Sequence, residues 1–455
     1  MKVDRISSTG TPPDDPIGVA VAEFIGELLG RATVQLRYTP VGASPAPPGD
    51  SVLAAASGEL VDGWCTTIAI GLDDRVAKVV ASEGEPLAAL PEAAIRAAQR
   101  FRHVLDGGSD ALSPSVRRAL RDTVAIELLS QQGGWSAGTA GARLIAETVE
   151  YLIELGGTRI ESLNPTHGVV ITDAIRDTPR LSIPYPAGLR PAKRSPLLFD
   201  GQRSVLIVDR EGRVRTELQA HRLGRLLPNT VRLESDDHAF VDSGSLVALA
   251  TRRLGGIGFF LREDRSIWTF VDGHPLVIRR GEHWTAFPLW LATALGDAIG
   301  GGVAIDLVVQ AALMVSVRPT GAILAIVDDP AVLEGVVPAK DRFDQRDDSD
   351  PSAMRPETRL HHLIDAVDLD AQTLARLAAL DGATIVDRHG QLVAYGAIVS
   401  SADSEHEGAR TAAARSLSHR ALAVLKVSED GEITIFRDGE MIATLLQSGI
   451  TTMRP

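Results

Sequence analysis

The feature that most constrains the fold is a change in the spacing of apolar residues at about residue 157. Before this point, apolar residues recur at helical spacing in four stretches: Ile17 to Leu29, Pro91 to Leu105, Ser113 to Leu129 and Ala142 to Leu155. After it, short β-branched or aromatic runs bounded by turns indicate strands, as in 168–171, 204–208 and 258–261. We therefore predict an α/β protein. Residues 1–156 form a mainly helical region with a strand near Thr66 to Gly71, and residues 157–299 form a strand-rich regulatory region.

The size and composition of the chain are those of a multidomain globular protein. It has 455 residues, of which 44% are hydrophobic and 23% charged. No apolar run approaches the roughly 20 residues that span a bilayer, and the first residues contain no apolar signal segment. We expect a cytoplasmic protein with no membrane partner.

Charge and cysteine content limit the partners and metal sites that the chain is expected to have. The net charge of -13 and the lack of a sustained basic tract argue against nucleic acid as a partner, because phosphate neutralisation needs clustered Lys and Arg. The single cysteine, Cys65, excludes an intrachain disulfide and a cluster of thiolate metal ligands.

Two predictions concern the end of the strand-rich region and the start of the C-terminal third. A helix pair is expected at Trp284 to Gly296 and Val303 to Val315. The segment from Asp328 to Glu357 is dense in Asp, Arg, Pro and Ser, which predicts an exposed loop or linker. Contact of this segment with a partner or ligand is the alternative.

A strand-turn-strand unit introduced by Asp-Gly occurs twice. Asp200-Gly201 comes before the sequence SVLIVDREGRV, and Asp381-Gly382 comes before ATIVDRHGQLV. Two independent hairpins with the same turn chemistry and an ancient duplication both explain this similarity. The sequence alone favours the independent hairpins.

Chemistry-bearing residues concentrate in the last third of the chain. Helices are predicted at 358–369 and 370–379, with Asp370 as the N-cap of the second. Buried strands follow at 383–386 and 392–399, with a turn at 388–390. Asp381 is thereby placed at a helix-to-strand junction.

A second segment of this region carries an anion-binding pattern. Gly408 opens an Ala-rich helix over 409–417, and Arg410 lies in its first turn. The N-terminus of a helix offers unpaired N–H groups and a favourable dipole to an anion. A hairpin of the strands 422–427 and 432–436 follows.

These elements and their order resemble the diadenylate cyclase domain of the DNA-integrity-scanning protein and its membrane-bound relatives. The resemblance covers residues 300–441, includes an early strand at 321–326, and leaves 442–455 as a tail. It implies a twisted mixed sheet flanked by helices. In that family two domains meet face to face and convert two ATP molecules to cyclic di-AMP with Mg²⁺ or Mn²⁺, so a homo-oligomer formed through this domain is expected.

The family's motifs carry over only in part. Asp381, Gly382 and Ala383 match its Asp-Gly-Ala, whose Asp handles the metal and the reacting hydroxyl. In its phosphate-gripping Gly-Thr-Arg-His-Arg segment, Gly408 and Arg410 match, but the chain has Ala409, Thr411 and Ala412 at the other three positions. The resemblance implies a metal ligand and catalytic residue at Asp381, and these nucleotide-binding residues: Asp381, Gly382, Ala383, Gly408, Ala409, Arg410, Thr411, Ser418 and Glu429.

The altered segment predicts impaired catalysis, because a transition-state-stabilising Arg is worth about 10³- to 10⁵-fold in phosphoryl transfer. We expect a sensor or regulatory protein that binds ATP or a cyclic dinucleotide and acts through a separate effector protein. One alternative is an active diadenylate cyclase with replacement groups from His406, His419, Arg415 or a partner subunit. Another is a scaffold that binds no nucleotide and mediates association.

Overall fold

A computed structural model gives the fold, which divides into a first unit, Met1–Leu289, and a second unit, Trp290–Pro455. The description covers these residues: 3–7, 13–29, 33–43, 52–71, 88–105, 112–135, 140–159, 164–175, 183–191, 198–219, 246–286, 303–316, 320–338, 341–343, 369–399, 408–429 and 431–445. Helices and mixed sheets occur in both units, so the α/β class is confirmed. None of the described helices is long and apolar enough to cross a membrane.

The first unit begins with a four-stranded sheet in the order β1-β2-β4-β3. Its strands are: β1, Val3–Ser7; β2, Thr33–Pro40; β3, Val52–Val61; and β4, Trp64–Gly71. The predicted strand near Thr66 is confirmed, and three other strands were missed. In β2 the signal was a period of two, because Val34, Leu36 and Tyr38 are buried and alternate with partly exposed polar residues.

All four helices predicted in the first region are confirmed: α1, Pro16–Leu29; α2, Leu90–Leu105; α3, Pro114–Gln132; and α4, Ala140–Gly156. Ser113 caps α3 by accepting a hydrogen bond from the Val116 N–H, and proline occupies the first helical position. The apolar face of α1 is fully enclosed, since Val21, Ile25 and Leu28 have no exposed surface.

A seven-stranded sheet follows in the order β11-β10-β9-β8-β5-β6-β7. Its strands are: β5, His167–Ile171; β6, Ser204–Val208; β7, Val214–Gln219; β8, Ile257–Leu261; β9, Ile267–Val271; β10, His274–Arg280; and β11, His283–Ala286. Helix α5, Leu246–Leu254, comes before β8. The helix predicted from Trp284 is wrong at its start, because Trp284 pairs with Arg279 in the sheet and its indole N–H bonds to Asp122. The rest of that prediction, 287–296, lies outside the described residues.

The second unit holds a six-stranded sheet in the order β14-β13-β12-β15-β16-β17, in which only β12 and β13 are parallel. Its strands are: β12, Ala322–Val327; β13, Ala383–Asp387; β14, Leu392–Ala397; β15, Ala423–Val427; β16, Ile433–Arg437; and β17, Glu440–Leu445. Its helices are: α6, Val303–Ser316; α7, Ala371–Ala378; and α8, Ala409–Ser418. The predicted N-cap Asp370 is confirmed, because its carboxylate accepts from the Thr373 N–H.

Two boundaries in this unit differ from prediction. The predicted tail begins too early, because residues 442–445 belong to β17, whose cross-strand hydrogen bonds outweigh a weak sequence signal. The predicted exposed loop is partly packed, since Leu333 and Val337 lie in the core and the buried Arg342 donates to the Pro330 carbonyl. The predicted helix at 358–369 lies outside the described residues except for its last position.

Candidate functional site

A cleft of about 640 Å³ opens on the second unit where three chain segments meet. The segments are the α7–β13 junction, the start of α8 and the end of β15. The lining residues are: Asp381, Gly408, Ala409, Arg410, Thr411, Lys426, Val427, Ser428 and Glu429. Six of the nine residues predicted to bind nucleotide therefore lie around one cavity.

The first wall of the cleft is the exposed side chain of Asp381, just before β13. Its carboxylate accepts a hydrogen bond from the Gly382 N–H at 3.1 Å. Gly382 has φ +99, and a Cβ there would lie 2.4 Å from the Gly396 carbonyl carbon. The sequence suggested that glycine here lets another group approach the backbone, and that group is the neighbouring strand β14. This close packing of Gly382 on β14 fixes the backbone position of Asp381, two residues before β13 begins.

The second wall is the N-terminus of α8. Gly408 is the N-cap, and no side chain among the described residues caps this end. Ala414 and Leu417 have no exposed surface and pack into the core of the sheet, which anchors the helix. The first turn of α8 therefore presents amide N–H groups that lack intrahelical acceptors at the cleft, where the helix dipole favours an anion.

Arg410 crosses the cleft and pairs with Glu429 at an Nη1 to Oε1 distance of 3.0 Å. The guanidinium lies over Gly321, where a Cβ would be 2.6 Å from Nη1. Any side chain at position 321 would displace the Arg410 guanidinium. Gly321 was predicted only as the start of a strand, and the structure gives it a place under this cation.

Lys426 supplies a second cation that the sequence reasoning missed. Its ammonium donates to the Thr411 hydroxyl at 3.3 Å, which ties the end of β15 to the first turn of α8. The available signal was a lysine within the otherwise apolar strand Ala423–Val427. A lysine in such a strand indicates a polar environment at that position. Val427 and Ser428 also line the cleft and were assigned no role.

Three predicted binding residues do not line the cleft. Gly382 comes directly before β13, and Ala383, the first residue of that strand, is fully buried. Ser418 is buried at the far end of α8, where its hydroxyl donates to the Arg415 carbonyl and accepts from the Gly439 N–H. Ser418 thus holds the β16–β17 turn.

The suggested replacement groups also lie elsewhere. The Arg415 guanidinium donates to the Gly439 carbonyl and lies over the Phe436 ring. The His419 ring packs against Gly439. Neither residue lines the cleft, and His406 is outside the described residues.

The cleft contains two carboxylates suited to a hard cation, those of Asp381 and Glu429. Among the residues that the structure describes, no group of three or more His, Cys, Asp or Glu side chains could hold a metal ion. Mg²⁺ characteristically binds one or two carboxylates and completes its shell with water and substrate phosphates. The donor set therefore fits a metal that arrives with a phosphorylated ligand.

Comparison with known proteins adds no family assignment. No protein-family model matches the chain, and no curated protein matches it.

Proposed function

We propose that the second unit is a nucleotide-binding domain similar to diadenylate cyclases, and that the chain is a sensor of ATP or a cyclic dinucleotide with impaired catalysis. The single observation that carries the proposal is the convergence of Asp381, the α8 N-terminus, Arg410 and Lys426 on one open cleft. Two cations and a helix N-terminus suit phosphate groups. The cleft volume is in the usual range for small-molecule sites.

A ligand phosphate can replace Glu429 as the partner of Arg410 at low energetic cost. Both side chains are exposed, at 47% and 71%, and such pairs contribute only about 0–1 kcal/mol. A phosphate offers the guanidinium a stronger, bidentate partner. When a nucleotide is bound, we expect Arg410 to pair with its phosphate and no longer with Glu429. The Glu429 carboxylate is then available to a metal ion.

Impaired catalysis is supported by the groups around Arg410. The Thr411 hydroxyl already accepts from Lys426, and Ala409 and Ala412 have no polar side-chain atoms. Arg415 and His419 are engaged at Gly439 on the other end of α8. Phosphoryl transfer depends on positioned charge, whereas binding needs only the groups that remain. A bound Mg²⁺ or Mn²⁺ would neutralise phosphate charge, with Asp381 as a protein ligand and Glu429 as a second one once Arg410 has released it.

Calorimetric titration with ATP and with cyclic di-AMP, in Mg²⁺ or Mn²⁺, tests the proposal. We expect binding that weakens by at least about tenfold in Arg410→Ala and in Asp381→Ala, because each removes a charged contact worth about 1.5–3 kcal/mol. Arg388→Ala is the matched control, since Arg388 is a half-exposed arginine paired with Asp328 and does not line the cleft.

Three outcomes would contradict the proposal. A folded sample that binds no nucleotide would leave association as the function of this domain. An equal loss of binding in Arg388→Ala would place the site elsewhere. Efficient conversion of ATP to cyclic di-AMP by the purified chain would show an active cyclase.

A further inference from the structure

Six strands of the first unit repeat the topology of the second unit. The order β7-β6-β5-β8-β9-β10 matches β14-β13-β12-β15-β16-β17 strand for strand. Each set has a single parallel pair, β5 with β6 and β12 with β13. Helix α5 comes before β8 as α8 comes before β15. We call residues 167–280 the first repeat and residues 322–445 the second repeat.

Two irregularities occur at equivalent positions in the two sheets, and a third, between Ala383 and Ile385 in the β13–β14 pair, has no counterpart in the β6–β7 pair. Each repeat has a bulge in the last strand, where Leu276 and Ile442 are the unpaired residues. Each repeat has a second bulge in the strand that follows its Asp-Arg turn. These bulges are at Arg215 in β7, after Asp209-Arg210, and at Val393 in β14, after Asp387-Arg388. A bulge adds one residue to one strand at one position. Similar hairpin turns can each bring a bulge, but two bulges in equivalent strands add to the shared strand order.

The turns before β7 and β14 have the same internal contacts. The carboxylates of Asp209 and Asp387 each accept from the N–H groups two and four residues later. The next residue is an arginine in both repeats, and each pairs with the aspartate that follows the central strand, Arg210 with Asp173 and Arg388 with Asp328. Equivalent ion pairs across different strands are not explained by turn chemistry alone.

The helix of each repeat is fastened to the last hairpin by one buried hydroxyl. Thr251 in α5 accepts from the Gly273 N–H at 3.1 Å, and Ser418 in α8 accepts from the Gly439 N–H at 2.9 Å. Both glycines have positive φ and follow an aspartate with positive φ. These shared contacts favour duplication over the independent hairpins that the sequence suggested.

The shared registers locate the counterpart of the cleft in the first repeat. Lys426 lies opposite Ile323, and Phe260 lies opposite Gly168 at the equivalent position. The Phe260 ring packs directly on Gly201, where a Cβ would be 2.4 Å from the ring carbon Cε2. An aromatic ring therefore occupies the position of the cleft lysine and lies against Gly201, in the turn before β6.

Two further side chains cover this position. The Arg262 guanidinium lies 4.9 Å from the centroid of the Trp268 ring and 5.8 Å from that of Phe260, and burial lowers its pKa. The carboxylate of Asp200 accepts from the N–H groups of Gln202 and Arg203, so it is bound to its own loop.

We infer that the first unit contains a second copy of the fold of the second unit, and that Phe260, Arg262 and Trp268 close its counterpart of the cleft. Among the described residues, the position of Lys426 in the second repeat then lies at an open cleft, and its counterpart in the first repeat is filled. The ligand stoichiometry that follows, one nucleotide per chain, rests on the proposed function. The closure of the first repeat does not.

The experiment has two arms on the full-length chain. Titration with ATP and Mn²⁺ should give one site per chain, and Arg410→Ala should weaken binding at that site by at least about tenfold. Acrylamide quenching of tryptophan fluorescence needs no nucleotide. Trp268 is 3% exposed, so Trp268→Phe removes a protected emitter and should not lower the mean quenching constant. Trp64→Phe is the control, since Trp64 is partly exposed and its removal should lower that constant.

The outcomes separate this inference from the proposed function. Two equivalent nucleotides per chain, or a quenching constant that falls in Trp268→Phe as it does in Trp64→Phe, would overturn the closed repeat. A chain that binds no nucleotide but protects Trp268 would refute the proposed function and support the closure.

Discussion

The two repeats show how one backbone fold can hold either a cleft or a core. At equivalent strand positions the second repeat has Lys426, bonded to Thr411, and the first has Phe260, packed on Gly201. The hydrogen-bond register fixes where these side chains lie, and their chemistry decides whether the space takes a ligand.

The comparison also separates residues of the fold from residues of the site. Ser418 was predicted to bind nucleotide, yet Thr251 makes the same contact in the closed repeat. Asp387 and Asp209 likewise stabilise the same turn in both. Arg410 and Lys426 have no such shared role among the described residues. A feature present in both repeats is explained by folding, and one confined to the open repeat is a candidate for binding.

The largest difference should come from truncating the two equivalent residues Phe260 and Lys426. Phe260→Ala removes a ring that is 2% exposed and should lower the free energy of unfolding by about 3–5 kcal/mol. Lys426→Ala should change it by about 0.5 kcal/mol or less, because the lysine lies at an open cleft. Urea unfolding, monitored by hydrogen exchange in each repeat, measures the free energy of unfolding of both variants. Similar losses would show that the two positions are not differently packed.

A smaller effect is expected from Gly382→Ala, at about 3 kcal/mol, since the new Cβ combines a positive φ with a backbone clash at Gly396. Gly335→Ala is the control for backbone strain alone, because Gly335 has φ +76 and nothing within 4 Å. It should cost about 1 kcal/mol. Thermal unfolding of both variants checks the difference, and equal costs would mean that close packing of β14 does not position Asp381.

The smallest effect tests the equivalence of the repeats. Ser418→Ala and Thr251→Val each remove the acceptor of one buried glycine N–H, so each should cost about 1–2 kcal/mol. Hydrogen exchange of the Gly439 and Gly273 amides should rise in the corresponding variant. A cost in only one repeat would break the equivalence.

The sequence predicted most elements of the second unit because their signals are local. Asp370 is a helix cap, residues 388–390 are a turn, and the helix that starts at Ala409 has a glycine before it. Prediction from the sequence failed where pairing with another strand decides the secondary structure. Trp284 is in a strand because it pairs with Arg279, and β17 extends past the predicted end of the domain because it pairs with β16.

By itself, the sequence determined the α/β class and pointed to Asp381, Gly408 and Arg410 as residues of one site, because turn, cap and charge patterns are written locally. Only the tertiary structure decided that Lys426 joins this site and that Ser418 does not, and it alone aligned Phe260 with Lys426. Those facts depend on the register between strands far apart in the chain, which no local pattern specifies.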